Sequence, residues 1–155
     1  MKTYKKDYFI PYPIETVREV LHTPVKIPFV PLTDQSELAV KNANDWFIKR
    51  ENGPGRPDTM IHVECAYDEE KDLLTVNMHS KRKQLTDVAT AELHYVGDFR
   101  TRLSLRYDIA YCWYKLSHIR QRIAVAYNSH KIYIDTFQNV IDAINREAEH
   151  LLTEE

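Results

Sequence analysis

The chain from Trp113 onward contains neither proline nor glycine, the two residues that most often interrupt helices. Within this stretch apolar residues recur at intervals of three and four positions, and they are Tyr133, Phe137, Val140, Ile141, Ile144, Ala148 and Leu151. This spacing predicts one long amphipathic helix over residues 117–152. Such a helix needs an apolar partner for its stripe, so the remainder of the chain must form a surface that covers it.

The segment that precedes this helix alternates between apolar and polar residues. Its apolar positions are Leu103, Leu105, Tyr107, Ile109 and Tyr111. The alternation predicts a half-buried antiparallel strand over 101–112, with one face on a core and the other in water. Shorter strand-like segments, separated by turn-rich residues, are predicted at 45–51, 60–67, 73–80 and 86–96.

The N-terminal part alternates short elements with prolines. A first strand is predicted at 3–10, and a short helix at 13–22, where Pro13 suits the first helical position. Residues 24–31 hold three prolines, which forbid regular structure, and two interpretations have equal weight: a gate over a cavity, or a rigid loop packed on the core. A second short helix is predicted from Thr33, as its N-cap, to about residue 42.

This order of elements predicts an α+β fold of the helix-grip type. A curved antiparallel sheet of about six strands wraps around the long C-terminal helix, with two short helices after the first strand. A twisted sheet with one solvent-exposed face curls, and its concave face then receives the apolar stripe of the helix. Side chains in the middle of such a sheet cannot all reach the helix, so a cavity can remain between them.

The chain resembles the START-like superfamily (SRPBCC, or Bet v 1-like), which has this helix-grip fold. The resemblance is carried by the opening segment 8–21, YFIPYPIETVREVL, and by the closing helix at 130–152. It covers nearly the whole chain, but it lies in element order and contains no specific short motif. Six predicted strands instead of seven, and the proline-rich stretch 22–31, depart from the pattern. The resemblance implies an apolar cavity, and members of the superfamily include ligand carriers, cyclases, dehydratases and protein-binding modules.

Composition narrows the classes of function. The 155 residues fit a single START-like domain spanning 1–155. A formal net charge of −2 argues against a dedicated DNA-binding protein, so no DNA partner is expected. The sequence has no apolar run long enough for a membrane span, no signal peptide and no glycine-rich phosphate loop. Cys65 and Cys112 lie far apart, as in a cytoplasmic protein with reduced thiols, and no cofactor is predicted.

Side chains alternate between the two faces of a strand, and this strand parity identifies the candidate cavity residues. The inward-facing positions are predicted to be Val63, Cys65, Val76, Met78, Leu93, Tyr95, Leu105, Tyr107, Ile109, Tyr111 and Phe137. The ligand-binding set drawn from them is Val63, Cys65, Met78, Tyr95, Leu105, Tyr107, Tyr111 and Phe137. The alternative is a filled core. Ten tyrosines favour a cavity, because each buried phenol needs a hydrogen-bond partner.

Two further functions stay open beside the binding of a small hydrophobic or amphipathic ligand. One is a cyclase- or dehydratase-type enzyme that uses either Glu92 and His94 or the inward tyrosines as acid and base. The parity of 86–96 is ambiguous, and Glu92 and His94 enter the cavity only if it is reversed. The other alternative is a protein-interaction module that uses the outer sheet face, or the basic turn of Lys81, Arg82 and Lys83 together with Arg100 and Arg102.

The sequence offers weaker support for a metal site or a nucleophilic cysteine. His62 and Glu64 share a strand face, but a zinc site needs three or four converging ligands, so no metal is predicted. Cys65 lies among apolar neighbours, where a structural thiol is favoured over a nucleophile. The sequence assigns no catalytic residue.

Overall fold

The structure, a computed structural model, describes residues 2–30, 36–51, 54–55, 59–80, 86–109 and 116–153. Within these ranges it has seven strands, two α-helices and one 3-10 turn. The strands are β1 (Lys2–Ile10), β2 (Ser36–Asn42), β3 (Asp45–Arg50), β4 (Thr59–Asp68), β5 (Leu73–Ser80), β6 (Thr86–Gly97) and β7 (Arg100–Ile109). The helices are α1 (Ile14–Leu21) and α2 (Leu116–Thr153), and the 3-10 turn is Pro24–Lys26.

All seven strands belong to one antiparallel sheet in the order β1-β7-β6-β5-β4-β3-β2. Consecutive strands are hydrogen-bonded neighbours except β1, which lies beside β7 with Tyr8 opposite Leu103. The sheet is curved around α2, so the predicted helix-grip architecture is confirmed.

The core lies between the concave face of the sheet and the apolar stripe of α2. From the sheet it receives Leu74, Val76, Leu93, Leu105 and Tyr107, and from the helix Phe137, Val140, Ile144 and Ala148. The Phe137 ring is 5.3 Å from the Tyr107 ring and 6.5 Å from the Tyr8 ring, measured between centroids. The predicted stripe is therefore buried from Phe137 to Ala148, as its spacing required, and Leu151 at its end is partly buried.

The second short helix predicted up to residue 42 is wrong, and so is the count of six strands. Residues 36–42 form β2, in which Leu38 lies opposite Ile48 and Val40 lies opposite Trp46. The segment contains good helix formers such as Glu37 and Ala39, but pairing with β3 satisfies its backbone groups and overrides that local propensity. Thr33 lies outside the described residues.

The proline-rich segment packs against the core, which agrees with the second of its two interpretations. Pro24, Ile27, Phe29 and Val30 are all buried. The backbone N–H of Val25 donates to the carbonyl of Ala43 at 3.2 Å, which ties the segment to the turn between β2 and β3. This anchoring gives an irregular segment a fixed position beside the sheet.

Among the described residues, neither helix combines the length and the apolar character that a membrane crossing requires.

Candidate functional site

The predicted ligand-binding residues lie mostly in one packed core. Val63, Met78, Leu105, Tyr107 and Phe137 are all buried and belong to the same cluster. The other inward-facing candidates, Val76, Leu93 and Ile109, are buried as well, and Cys65 is half-buried. The structure thus brings these side chains together, largely in contact with one another. Tyr111 lies outside the described residues.

Tyr95 is the exception, and the expectation that it points into a cavity is wrong. It lies on the same face of β6 as the buried Leu93, but its side chain is 63% exposed. Its hydroxyl donates a hydrogen bond to the carboxylate of Asp98 at the end of the strand. Strand parity assigns a face and not a depth, and β6 extends beyond the edge of the core.

Tyr107 finds its hydrogen-bond partner in the protein itself. Its buried hydroxyl donates to the backbone carbonyl of Phe29 in the proline-rich segment. This bond joins β7, the neighbour of the edge strand β1, to the segment that follows α1. The tyrosine therefore anchors the core, where the sequence suggested a polar lining for a cavity.

Replacing Tyr107 with phenylalanine should lower the free energy of unfolding by about 1–2 kcal/mol, because the Phe29 carbonyl loses this buried donor. Urea unfolding of both proteins measures the difference. Tyr95→Phe is the matched control, since it removes an exposed hydroxyl and should change stability by less than about 0.5 kcal/mol. Equal losses in the two variants would contradict the anchoring role of Tyr107.

A mostly apolar groove opens beside this core, between β2, β3, the proline-rich segment and α2. Its volume is about 210 Å³, and it is lined by Val25, Lys26, Ile27, Pro28, Val30, Leu38, Trp46, Ile48 and Arg146. Trp46 and Ile48 form its buried floor. We refer to this space as the β2–β3 groove.

The sheet beside the β2–β3 groove is incompletely covered. Leu38 and Val40 share the concave face with Ile48 and Trp46, their cross-strand partners, yet they are 47% and 56% exposed. Two aliphatic side chains in this position leave an apolar strip open next to the groove. Neither lay in the predicted ligand-binding set, because residues 33–42 were expected to be helical.

Charged groups stand at one side of the β2–β3 groove. The Lys26 ammonium is 3.8 Å from one carboxylate oxygen of Glu147, and the Arg146 guanidinium is 3.9 Å from the other. Both distances exceed that of a direct hydrogen bond. Two cations thus share one carboxylate at the rim, which leaves one positive charge in excess next to an apolar lining.

Comparison with solved structures finds the same architecture in several proteins. An aromatase/cyclase from Streptomyces sp. R1128 aligns with a TM-score of 0.61 and 11% identity, over 97% of this chain and 95% of its own. A START superfamily protein from Mycobacterium smegmatis aligns with a TM-score of 0.56 and 11% identity, over 96% of this chain and 98% of its own. The protein has the START-like helix-grip fold.

A third similar structure is norcoclaurine synthase from Thalictrum flavum in complex with dopamine and hydroxybenzaldehyde. It aligns with a TM-score of 0.57 and 14% identity, over 99% of this chain and 88% of its own. No family model matches the chain, and no curated protein matches it. The likeness to these proteins is therefore one of START-like fold, and the chemistry must be read from the residues of this chain.

Glu92 and His94 lie on the outer face of the START-like sheet, since Leu93 between them is buried. The His94 Nε2 and Glu92 Oε1 atoms are 2.8 Å apart, and both side chains are partly exposed. With Arg102 and Ser104 they line a shallow polar groove of about 490 Å³. The original parity of 86–96 is thus correct, and the acid/base pair of the enzyme alternative does not enter the core.

His62 also lies outside the core, on the same strand as the buried Val63. Its imidazole is 2.6 Å from Asp45 and 3.1 Å from Glu64, and it stacks on the Phe47 ring at 4.2 Å. Across the residues that the structure describes, no three His, Cys, Asp or Glu side chains converge as metal ligands. The basic turn of Lys81, Arg82 and Lys83 lies outside the described residues.

Cys65 lies half-buried on the inner side of β4. Burial, together with the nearby Asp45 carboxylate, raises the pKa of its thiol to about 12. The thiol therefore stays protonated at neutral pH, and a protonated thiol is a poor nucleophile. This supports the interpretation of Cys65 as a structural residue of the START-like fold.

A cluster of polar side chains fastens α1 to the turn between β4 and β5. The Arg18 guanidinium donates to both carboxylate oxygens of Asp72, at 2.7 and 3.0 Å, and the Tyr67 hydroxyl donates to the same carboxylate at 3.0 Å. Next to them the His22 ring bridges the Arg18 carbonyl and Glu69, at 2.6 and 2.7 Å. We name Arg18, His22, Tyr67, Glu69 and Asp72 the α1 clamp.

Two members of the α1 clamp, Asp72 and Tyr67, have pKa values shifted away from neutral pH, so their protonation states are fixed there. The hydrogen bonds from Arg18 lower the pKa of Asp72. Burial, followed by the bond to Asp72, raises the pKa of Tyr67 above its usual range, so its hydroxyl remains protonated. The bonds to the Arg18 carbonyl and Glu69 raise the pKa of His22. Sequence reasoning missed this cluster, because Arg18 and Asp72 stand 54 positions apart.

Proposed function

We propose that this protein binds a small amphipathic molecule in the β2–β3 groove, with the apolar body of the ligand on the groove floor and an acidic end at the rim. The observation that carries the proposal is the open apolar strip of Leu38 and Val40 beside buried Trp46 and Ile48. An uncovered aliphatic strip on the concave face of a sheet is a surface that a ligand can bury.

The size of the groove limits how the ligand binds. At about 30 Å³ per water molecule, 210 Å³ corresponds to about seven waters, which is below the usual range for enclosed drug-sized ligands. A larger ligand must therefore extend from the groove along Leu38 and Val40. The apolar surface that the ligand covers there contributes about 25 cal/mol per Å² to the free energy of binding.

The charges at the rim favour an acidic ligand. Lys26 and Arg146 share the single carboxylate of Glu147 at distances longer than a hydrogen bond. A carboxylate or sulfonate on the ligand would give Arg146 a direct, charge-assisted partner. Among the described residues around the groove, Glu147 is the acid that contacts these cations, and both of them already share it.

The structural comparisons support small-molecule binding at the level of the fold. Norcoclaurine synthase, with the same architecture, was solved with dopamine and hydroxybenzaldehyde. At 14% identity this likeness does not transfer those ligands to the present chain. The enzyme alternative is not proposed, because Glu92 and His94 lie on the outer sheet face. Of the tyrosines predicted inward, Tyr107 is bonded to the Phe29 carbonyl and Tyr95 is exposed.

Leu38→Asp should weaken the binding of an anionic fluorescent fatty acid by about tenfold or more. The new carboxylate places a charge in the apolar strip and repels the acidic end of the ligand. Leu38 is half-exposed, so the variant should fold normally. Fluorescence titration of the purified protein gives the dissociation constants.

Leu152→Asp is the matched control, since Leu152 is an equally exposed leucine of α2 outside the groove. It should bind the probe like the wild-type chain. Arg146→Gln should weaken the binding of the fatty acid but not the binding of the corresponding alcohol. Absence of binding by the wild-type chain across fatty acids and aromatic acids, or equal effects of the two aspartates, would refute the proposal.

A further inference from the structure

One end of the sheet, where β6 turns into β7, carries a cluster of exposed apolar side chains. Phe99 in the turn is 80% exposed, and Phe9, Tyr95 and Val96 are 58%, 63% and 42% exposed. Four of the seven large apolar residues that are exposed in the described ranges lie here. We call Phe9, Tyr95, Val96 and Phe99 the aromatic tip. Isolated exposed apolar residues are ordinary, but several at one end of a molecule mark an interaction site.

The aromatic tip is held together by contacts between its elements. The Arg100 guanidinium lies 4.4 Å above the Phe9 ring, which joins the end of β1 to the residue after Phe99. The Tyr95 hydroxyl donates to Asp98, and the register of β6 shifts between Tyr95 and Gly97. Such an irregularity turns the strand away from the regular ladder. The tip is therefore an ordered projection with Phe99 at its apex.

Two arginines beside the tip lack an acidic partner in the part of the chain that the structure describes. Arg100 contacts only the Phe9 ring among the interactions resolved there. Arg102 lies directly opposite Phe9 in the sheet, and its Nε atom is buried without a hydrogen-bond partner. Two acids lie near the tip: Asp98 is bonded to the Tyr95 hydroxyl, and Glu15 acts on the same hydroxyl electrostatically. Arg100 is exposed and Arg102 is half-buried, and a guanidinium that reaches solvent next to aromatic rings is suited to an anionic oxygen.

We propose that the aromatic tip docks on the surface of a phospholipid bilayer. Phe9, Val96 and Phe99 enter the boundary between headgroups and acyl chains, Tyr95 lies at headgroup level, and Arg100 and Arg102 bind lipid phosphates. Aromatic rings and arginines are the residues that favour this boundary. The inference is independent of the ligand in the β2–β3 groove, which is lined by other residues.

The shape of the patch favours a bilayer over a protein partner. A stable protein interface of standard size buries about 800 Å² on each partner and needs a broad complementary face. Here the apolar residues form a small tip, and the neighbouring outer face holds charged side chains such as Asp7, Glu92 and Arg106. A tip of this kind can enter a fluid boundary while those charges remain in water.

Sedimentation with vesicles tests the proposal. The wild-type chain should bind vesicles of phosphatidylcholine mixed with phosphatidylserine, and bind pure phosphatidylcholine vesicles more weakly. Phe99→Ser should lower the partition coefficient about tenfold, as expected for one large apolar side chain withdrawn from the boundary. Arg100→Gln and Arg102→Gln should each reduce the preference for phosphatidylserine about fivefold.

Two control variants separate this result from other causes. Leu152→Ser removes an exposed leucine elsewhere and should bind vesicles like the wild-type chain. Leu38→Asp, which blocks the proposed groove, should also retain vesicle binding. If Leu38→Asp abolishes sedimentation, lipid entry into the groove explains it and the tip proposal is wrong.

Failure of the wild-type chain to bind either vesicle composition would overturn the proposal and leave a protein as the partner of the tip. Full binding by Phe99→Ser would overturn it as well. Neither of these results depends on whether the groove binds a ligand, so the two proposals can fail separately.

Discussion

Replacing Phe137 with alanine should lower the free energy of unfolding by about 3–5 kcal/mol, the range for a buried phenylalanine. The Phe137 ring is buried and contacts the rings of Tyr107 and Tyr8, which come from two neighbouring strands. Its removal leaves a cavity at the place where α2 packs on β1 and β7. For a domain of this size, the loss corresponds to a fall in Tm of about 6–20 °C.

Urea unfolding followed by circular dichroism measures this effect. Leu152→Ala on the same helix is the control, because Leu152 is exposed and should change stability by less than about 0.5 kcal/mol. A loss below about 1 kcal/mol for Phe137→Ala would mean that α2 does not depend on this contact, and the helix-grip core would need revision.

Asp72→Ala should lower the free energy of unfolding by about 2–4 kcal/mol, because it leaves Arg18 and Tyr67 without their acceptor and strains the backbone. Asp72 has a φ of 48°, in the left-handed region that asparagine and aspartate tolerate better than alanine. Asp72→Asn keeps this backbone preference and removes the charge, so it should lose only about 1–2 kcal/mol. Thermal and urea unfolding of both variants separate the two contributions.

The pH dependence gives a second test of the same clamp. The pKa of Asp72 is lower in the folded protein than in the unfolded chain, where it is about 3.9. The stabilisation by Arg18 is therefore fully present above about pH 4 and is lost as the pH falls through the folded-state pKa. The stability difference between the wild-type chain and Asp72→Asn should shrink below about pH 4. A difference that is constant with pH would show that the charge of Asp72 has no stabilising role.

The elements that the sequence predicted well are those with a long regular pattern. The stripe through Phe137 and Ile144 required a helix with one buried face, and the alternation through Leu103 and Leu105 required a half-buried strand. Both patterns arise from backbone geometry that each segment carries by itself. The short segment 36–42 has no such length, and its helix formers misled the prediction.

The candidate site was less predictable than the fold. Strand parity placed Val63, Leu105 and Tyr107 on the correct face, and the structure adds that they pack together in a core. The proposed site combines the β2–β3 groove with the exposed strip of Leu38 and Val40, and that exposure depends on how far the rest of the chain covers the sheet. No local pattern encodes that coverage.

The sequence by itself determined which face of each regular element is apolar, because side-chain direction repeats with the geometry of helix and strand. Only the tertiary structure decided which of those apolar residues are covered. Leu93 and Tyr95 share a face of β6, but one is buried and the other is exposed. The tertiary structure also paired Arg18 with Asp72. Coverage and pairing of this kind depend on segments that are distant along the chain and meet only when the sheet closes around α2.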